Sequence, residues 1–157
     1  MSKLQTNAIR HLGSSVDNMT LDSSGRVLMP KQPYAMVSRN AGSVQGNATV
    51  VFNVVDSDVA GVYNASNGRF TAPVTGRYLI SHGLFTDNVR SAWVFFRING
   101  TNIKSTYTNV TSYNSVAGTI VLNMNANDYL DIYINGTIYG VYGNDITQCW
   151  ATFTLLG

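Results

Sequence analysis

The chain has 157 residues, which is enough for one domain with a sizeable buried core. Its ten Lys and Arg residues and eight Asp residues give a net charge of +2, and they are spread along the chain without runs. The sequence therefore lacks the clustered basic residues of a nucleic-acid-binding surface. No apolar stretch approaches the ~20 residues that span a bilayer, so membrane insertion is not expected.

The residue types favour β-strands throughout the chain. It contains 15 Thr, 14 Gly and nine Tyr but no Glu. Good helix formers are therefore scarce, whereas β-branched, aromatic and turn-forming residues are frequent. We expect an almost entirely β structure.

Residues 1–33 predict a short N-terminal arm. They are mostly polar, hold two predicted strands in NMTLD and RVLM around a Ser-Ser-Gly turn, and end in the breaker run PKQP. The arm lacks the apolar mass to fold alone, so we expect it to anchor the protein by packing against a partner, most simply the same arm of neighbouring subunits. The candidate anchor residues are Leu4, Ile9, Leu12, Leu21, Val27 and Leu28.

Residues 34–157 predict one β-domain. Strand patterns recur about every ten residues and are separated by turns rich in Asn, Gly and Ser. The Asn-Gly pair at Asn99 predicts a hairpin. Many short strands without a helical segment predict a two-sheet sandwich of jelly-roll type. The predicted strands are 34–39, 49–55, 68–72, 76–86, 91–98, 101–108, 116–124, 128–138 and 147–156.

Large apolar residues, one acid and one glycine follow a fixed register in FNVVDSDVAGVYNASNGRFTAPVTGRY. The residues of this register are Phe52, Asp58, Tyr63, Phe70, Gly76 and Tyr78. The register resembles the signature of the globular head domain of complement C1q and its tumour-necrosis-factor-like relatives. SAWVFFRING and the C-terminal run from Ala117 are similar to the later strands of that family, so the resemblance covers about residues 33–157.

The resemblance implies a jelly-roll head that assembles as a homotrimer around a threefold axis. The six register residues are then structural, with Phe70 and Tyr78 projecting between the sheets, where each aromatic side chain can bury about 150–250 Å². Gly76 is then explained by backbone geometry.

The chain departs from the family pattern at two positions that the family fills with aromatic residues. These positions hold Ile80 and His82. Ile80 keeps the apolar role. His82 shares a strand face with Tyr78, Ile80 and Leu84, so it faces either the core or a subunit interface. We expect a structural histidine with satisfied ring nitrogens in preference to a pH switch.

No set of residues predicts catalysis. The two histidines are His11 in the arm and His82 in a strand interior, so neither a Ser-His-Asp triad nor a Cys-His pair can be assembled. There is no phosphate-binding loop and no zinc-ligand spacing. Cys149, the single cysteine, alternates with apolar residues and is expected to be a small buried side chain. We therefore expect a non-enzymatic protein without a cofactor or a metal.

Two pairs of aspartates are weaker candidates. Asp56 and Asp58 could offer oxygen ligands to Ca²⁺, but such a site requires about six to eight ligands, so solvated carboxylates are the favoured interpretation. Asp128 and Asp131 match a place where the family often has Gly-Asp before a strand, and turn chemistry accounts for both.

The arm carries a second, looser resemblance. TNAIRHLGSSVDNMTLDSSGRVLMPKQP resembles the short N-terminal arms of structural proteins of tailed bacteriophages, especially phages of cyanobacteria. This implies a virion protein, made in the host cytoplasm, whose arm binds other capsid or tail proteins. At 157 residues the chain is short for a complete tail fibre, so a capsid decoration or knob protein is preferred.

Two alternatives stay open. One is a short tail fibre or fibre tip that binds a host-surface glycan or receptor. The other is a secreted C1q-like lectin, for which the sequence shows neither a signal peptide nor a collagen stalk.

Overall fold

The computed structural model describes residues 6–15, 17–42, 44, 46–86, 92–108, 114–136 and 147–157. The described residues form strands, turns and loops, and none of them lies in a helix that could cross a bilayer. The chain divides into two units, Met1–Gln32 and Pro33–Gly157, which we call the arm and the head. The head is a two-sheet sandwich, so the all-β prediction is confirmed.

The arm contains a small antiparallel sheet in the order β1-β2-β3. A turn stabilised by Asp22 connects the last two strands. The carboxylate accepts hydrogen bonds from the backbone N–H groups of Ser24 and Arg26, both at 2.9 Å, and from the Arg26 side chain at 2.6 Å. The strands are β1 (Ala8–Ile9), β2 (Met19–Leu21) and β3 (Val27–Leu28).

One sheet of the head has five antiparallel strands in the order β12-β9-β14-β4-β6. The last strand of the chain, β14, therefore lies in the middle of the sheet, between β9 and β4. The strands are β4 (Tyr34–Ser38), β6 (Val54–Val59), β9 (Gly76–Thr86), β12 (Asn114–Met124) and β14 (Trp150–Leu155).

The other sheet has six strands in the order β11-β10-β13-β8-β7, with β5 also paired to β13. The predicted hairpin is confirmed, since Asn99 (φ 51°) and Gly100 (φ 80°) connect β10 to β11 in the left-handed conformation that a tight hairpin turn requires. The strands are β5 (Ala48–Thr49), β7 (Tyr63–Asn64), β8 (Arg69–Thr71), β10 (Ala92–Ile98), β11 (Thr101–Thr108) and β13 (Tyr129–Gly136).

The prediction of one strand over residues 49–55 is wrong, because the chain changes sheets there. β5 belongs to the six-stranded sheet and β6 to the five-stranded sheet. Between them, the N–H of Val50 donates to a carbonyl of β13 at 2.8 Å, and the N–H of Phe52 donates to the Tyr63 hydroxyl at 3.1 Å. A crossing segment with satisfied backbone groups and buried apolar side chains has the same sequence pattern as a strand.

Stacked aromatic rings fill the centre of the head. Phe70 of β8 lies parallel to Phe153 of β14, with ring centroids 4.9 Å apart and an interplanar angle of 6°. Tyr78 meets Phe70 edge to face at 5.5 Å, and Tyr63 stacks on Phe153 at 5.8 Å. These contacts connect the two sheets directly, and each adds about 0.5–1.5 kcal/mol beyond the burial of its area.

A buried ion pair connects β10 to β13. The Nε and Nη2 atoms of Arg97 donate to the two carboxylate oxygens of Asp131, each at 2.7 Å, and the Thr49 hydroxyl contacts both partners. The guanidinium group also lies 3.7 Å from the centre of the Tyr133 ring. The pair lies on the solvent side of the sheet but is largely covered, since Asp131 is 1% exposed, and its two-pronged geometry fixes the register of β10 against β13.

Asp128 and Asp131 have different roles. Asp128 accepts hydrogen bonds from the Asn125 backbone and the Asn99 side chain, both at 2.7 Å, as a turn carboxylate does. For Asp131 the turn interpretation is wrong, because its side chain binds Arg97 within the sheet.

We expect the substitution Asp131→Asn to lower the free energy of unfolding by about 3–5 kcal/mol, because it leaves the Arg97 guanidinium without its buried counter-charge. Urea denaturation measures this loss. Arg69→Ala is the matched control: it removes an exposed cation stacked 4.0 Å from the Tyr129 ring of the same sheet, and its cost should stay below about 1 kcal/mol.

The double variant Arg97→Met/Asp131→Leu should recover most of the stability, since it removes both charges together. Equal losses from Asp131→Asn and Arg69→Ala would contradict a structural role for the buried pair.

Candidate functional site

The register residues predicted from the sequence lie mostly inside the head. Phe52, Phe70 and Tyr78 are fully buried, and Tyr63 is 8% exposed. The Tyr78 hydroxyl donates to the Val74 carbonyl at 2.6 Å, and burial raises the pKa of the Tyr63 hydroxyl. None of these four side chains offers a group to a ligand from solvent.

Asp58 and Gly76 are partly buried, and each has a structural role. The Asp58 carboxylate accepts hydrogen bonds from the N–H groups of Val62 at 2.8 Å and Tyr63 at 3.1 Å, which closes the turn after β6. A Cβ atom at Gly76 would lie 2.8 Å from Leu155 Cδ1, so close packing excludes a side chain there. The prediction that backbone geometry explains Gly76 is therefore wrong: φ at this position is not in the left-handed region, and the requirement for glycine is steric.

The two aspartates considered for calcium do not share a site. The Asp56 carboxylate accepts a hydrogen bond from the Ser38 hydroxyl, whereas Asp58 binds the turn described above. Within the described part of the chain, no group of three or more His, Cys, Asp and Glu side chains could hold a metal ion.

His82 lies between the two sheets. It is 1% exposed, and its ring centroid is 5.1 Å from that of Phe96 in the opposite sheet. A Cβ atom at Gly118 would lie 2.8 Å from His82 Nε2, so the glycine provides the space for the imidazole. Neither ring nitrogen has a hydrogen-bond partner among the described residues, and burial lowers the pKa of His82 to about 4. The imidazole is therefore neutral at pH 7.

Cys149 is buried, as predicted. Its thiol is fully inaccessible and accepts a hydrogen bond from the Phe85 N–H at 3.4 Å. Burial raises the pKa of this thiol. A buried, protonated thiol is a packing residue and a poor nucleophile.

The solvent side of the five-stranded sheet is almost free of charge. Strand alternation sends hydroxyl and apolar side chains outward, and among the described residues the charged ones at its borders are Arg77 and Asp56. The Ser81 and Thr119 hydroxyls bond to each other at 3.0 Å across two strands. We call this surface the neutral face; it consists of Tyr34, Met36, Leu79, Ser81, Thr119, Val121, Trp150, Thr152 and Thr154.

A shallow cleft of about 410 Å³ lies at one border of the neutral face. Its lining includes Met36, Trp150 and Thr152 of the face together with Ser38 and Asp56. The Trp150 indole covers the next strand, where a Cβ atom at residue 83 would lie 2.7 Å from Trp150 Nε1. The cleft therefore continues the neutral face.

Three aromatic side chains form a second exposed surface, on the solvent side of β10 and β11. Trp93 is 47% exposed and Tyr107 is 49% exposed, with ring centroids 4.7 Å apart. Phe95 follows Trp93 on the same strand face, at 6.2 Å. We call Trp93, Phe95 and Tyr107 the aromatic patch. The alternation in WVFF is visible in the sequence, but the patch itself is not predicted from it, because the pairing of Trp93 with Tyr107 depends on the strand register.

The arm leaves most of its candidate anchor residues exposed. Ile9 is 50% exposed, Leu12 fully, Leu21 42%, Val27 53% and Leu28 49%. Leu4 lies outside the described residues. The small sheet of the arm therefore presents apolar side chains without an apolar core of its own among the described residues.

Comparison with known proteins identifies the architecture. The family model described as the C1q domain matches residues 34–154. Among solved structures, the globular domain of a zebrafish complement 1qA protein has a TM-score of 0.62 and 22% identity, and the alignment covers 80% of this chain and 98% of that one. The C1q-like resemblance of the head is thus confirmed.

Tumour-necrosis-factor-like proteins share the same fold. The Eiger TNF structure from S. frugiperda gives a TM-score of 0.66 at 13% identity, covering 81% of this chain and 94% of that one. The structure of murine APRIL gives a TM-score of 0.64 at 12% identity, and the alignment covers 80% of this chain and 100% of that one. No curated protein sequence matches the chain significantly.

We expect His82 to make the head less stable in acid. The pKa is lowered from 6.5 to about 4, so between these values the unfolded chain binds more protons than the folded one. The contribution of neutral His82 to the free energy of unfolding is fully present above about pH 6.5. It falls by about 3 kcal/mol as the pH decreases to about 4. His82→Phe should remove this part of the acid dependence, as measured by urea denaturation at about pH 7 and about pH 4.5.

His11→Phe, at the other histidine of the chain, is the matched control, because His11 is exposed. In the His11→Phe variant, the free energy of unfolding should depend on pH as it does in the natural chain. An unchanged acid dependence in His82→Phe would show that other groups cause the loss.

Proposed function

Because the chain belongs to the C1q domain family, we propose that it is a homotrimeric, non-enzymatic surface protein of a phage virion, anchored by its arm and projecting its head. Proteins of the C1q and tumour-necrosis-factor family form homotrimers, and their domains are typically binding or structural modules. The neutral face is the observation that supports the trimer, and the likeness of the arm to phage structural proteins is the basis for the virion.

The neutral face supports self-association. A sheet surface whose outward positions hold hydroxyl, methyl and indole groups loses much less hydration energy when it is covered than a charged surface does. Charged side chains are accordingly depleted from the centres of protein interfaces. The exposed Met36 and Val121 side chains, with the partly buried Trp150 on the same face, also favour a covered surface. A threefold arrangement covers the face of each subunit with a different surface of its neighbour.

The arm supports anchoring. Its exposed side chains, such as Leu12 and Val27, gain free energy when a partner covers them, at about 25 cal/mol for each Å² of apolar area. We propose that the partners are the other arms of the trimer and a capsid or tail protein. The likeness of the arm to phage structural proteins, stated above, is the basis for the virion.

A capsid decoration or knob protein is the form of this proposal that we prefer. The aromatic patch favours a second candidate, a short tail fibre or fibre tip that contacts the host surface. A secreted lectin would use the same head without a virion partner. Imaging of particles that carry a labelled copy of the chain separates these candidates. Label on the capsid supports the decoration protein, label on the tail supports the fibre, and the absence of label from particles supports the secreted lectin.

We expect the purified protein to have the mass of three 17.1 kDa chains in light scattering at micromolar concentration. Thr152→Arg should shift it to monomers, because the substitution buries an uncompensated charge at the centre of the neutral face.

Thr71→Arg is the matched control, an equivalent change at an exposed strand position on the other sheet. It should leave the trimer intact. A stable monomer of the natural chain, or a Thr152→Arg variant that stays trimeric, would contradict assembly through the neutral face.

Removal of residues 1–32 should leave a head that still folds and trimerises but no longer joins the virion. The head contains both complete sheets and the whole core, whereas the exposed apolar side chains of the arm are lost. Circular dichroism and light scattering test folding and assembly, and complementation of particles that lack the natural chain tests incorporation. Normal incorporation of the shortened chain would assign anchoring to the head.

A further inference from the structure

We propose that the aromatic patch is a carbohydrate-binding site, which takes one or two rings of a neutral sugar. This deepens the proposed function, and it rests on a head that projects from its particle.

The patch offers ring faces at the spacing of a small ligand. Trp93 and Tyr107 are directly opposite each other in the β10–β11 pair, with planes at 47° and centroids 4.7 Å apart. Phe95 continues the row at 6.2 Å with its plane at 20° to the indole. Two tilted rings beside a third form a shallow trough, in which the C–H faces of a pyranose ring can pack.

The exposed area suits a sugar better than a protein. An aromatic side chain offers about 150–250 Å², so the half that Trp93 and Tyr107 each expose is on the order of 100 Å². With the partly buried Phe95, the patch offers about 200–300 Å². A stable protein interface buries about 800 Å² on each partner, so the patch is too small to carry one alone.

Among the described residues, the neighbours that strand register places beside Trp93 and Phe95 include polar, uncharged side chains. Register places Asn135 of β13 beside Trp93, and Ser105 of β11 beside Phe95, and both are exposed. The Asn135 amide and the Ser105 hydroxyl can each donate and accept hydrogen bonds. Such groups match the vicinal hydroxyls of a sugar, which also donate and accept. Arg97, the cation that follows Phe95 on this face among the described residues, is already bound to Asp131. A neutral ligand is therefore complementary to the patch.

Other aromatic rings on this sheet face are covered. Arg97 lies over Tyr133 at 3.7 Å, and Arg69 lies over Tyr129 at 4.0 Å. These guanidinium groups occupy the ring faces that a sugar would need. Trp93 and Tyr107 carry no such cover among the described residues, which distinguishes the patch from the rest of the sheet.

Fluorescence can report binding at this site directly, because the chain has two tryptophans, Trp93 and Trp150. In a full-length Trp150→Phe variant, the emission comes from Trp93. Titration with maltotriose, cellotriose and chitotriose should give a saturable change for at least one sugar, with a Kd on the order of 1 mM. Saturation-transfer NMR on the natural chain provides a measurement that does not depend on tryptophan.

In the NMR experiment, Trp93→Ala should weaken binding at least about tenfold and Trp93→Phe less, because the smaller ring keeps part of the stacking face. Val74→Ala, which changes an exposed apolar residue in the loop before β9, outside both the aromatic patch and the neutral face, is the matched control and should bind as the natural chain does. Light scattering on each variant reports the trimer separately, so the loss of sugar binding and the loss of assembly are distinguishable.

Three results would overturn the proposal. The first is that none of the neutral sugars binds, even if a sulfated oligosaccharide does. The second is that a neutral sugar binds equally well to Trp93→Ala. The third is that Trp93→Ala dissociates the trimer, which would make the patch an interface between copies of the chain.

Discussion

The stack of Phe153 on Phe70 is the contact on which the rest of the head depends. It joins the middle strand of one sheet to the other sheet across the core. Because side chains alternate along a strand, an inward Phe153 forces Thr152 and Thr154 outward. The neutral face is thus the opposite face of the sheet whose other face forms the core. A shift of β14 by one residue would move its core side chains to the solvent side and its outward side chains into the core.

The same alternation governs the aromatic patch. Val94 and Phe96 point into the core, so Trp93 and Phe95 point to solvent. The Arg97–Asp131 pair at the other end of β10 fixes its register against β13. A buried ion pair contributes little net stability compared with apolar packing, but its geometry strongly disfavours other registers. The patch therefore depends on an interaction at the far end of its strand.

The sequence predicts the sandwich because its strongest signals are local: the alternation along β9 and β14, and the Asn-Gly turn at Asn99. Features that combine distant segments are harder to predict. Asp131 resembles a turn residue until its partner Arg97 is brought beside it, and residues 50–53 resemble a strand although they cross between sheets. The patch is intermediate, since the row of Trp93 and Phe95 is local but Tyr107 joins it only through the hairpin register.

The strand order also constrains how the head folds during synthesis. β4 is the first strand of the head to leave the ribosome, yet its partner β14 is the last, and β14 also separates β4 from β9. The five-stranded sheet therefore cannot close until translation of the head is nearly complete, and β9 meanwhile has one unpaired edge. Such non-local pairing slows folding and exposes strand edges to aggregation. The head is expected to require protection, from chaperones or from slow synthesis, until its final strand is inserted.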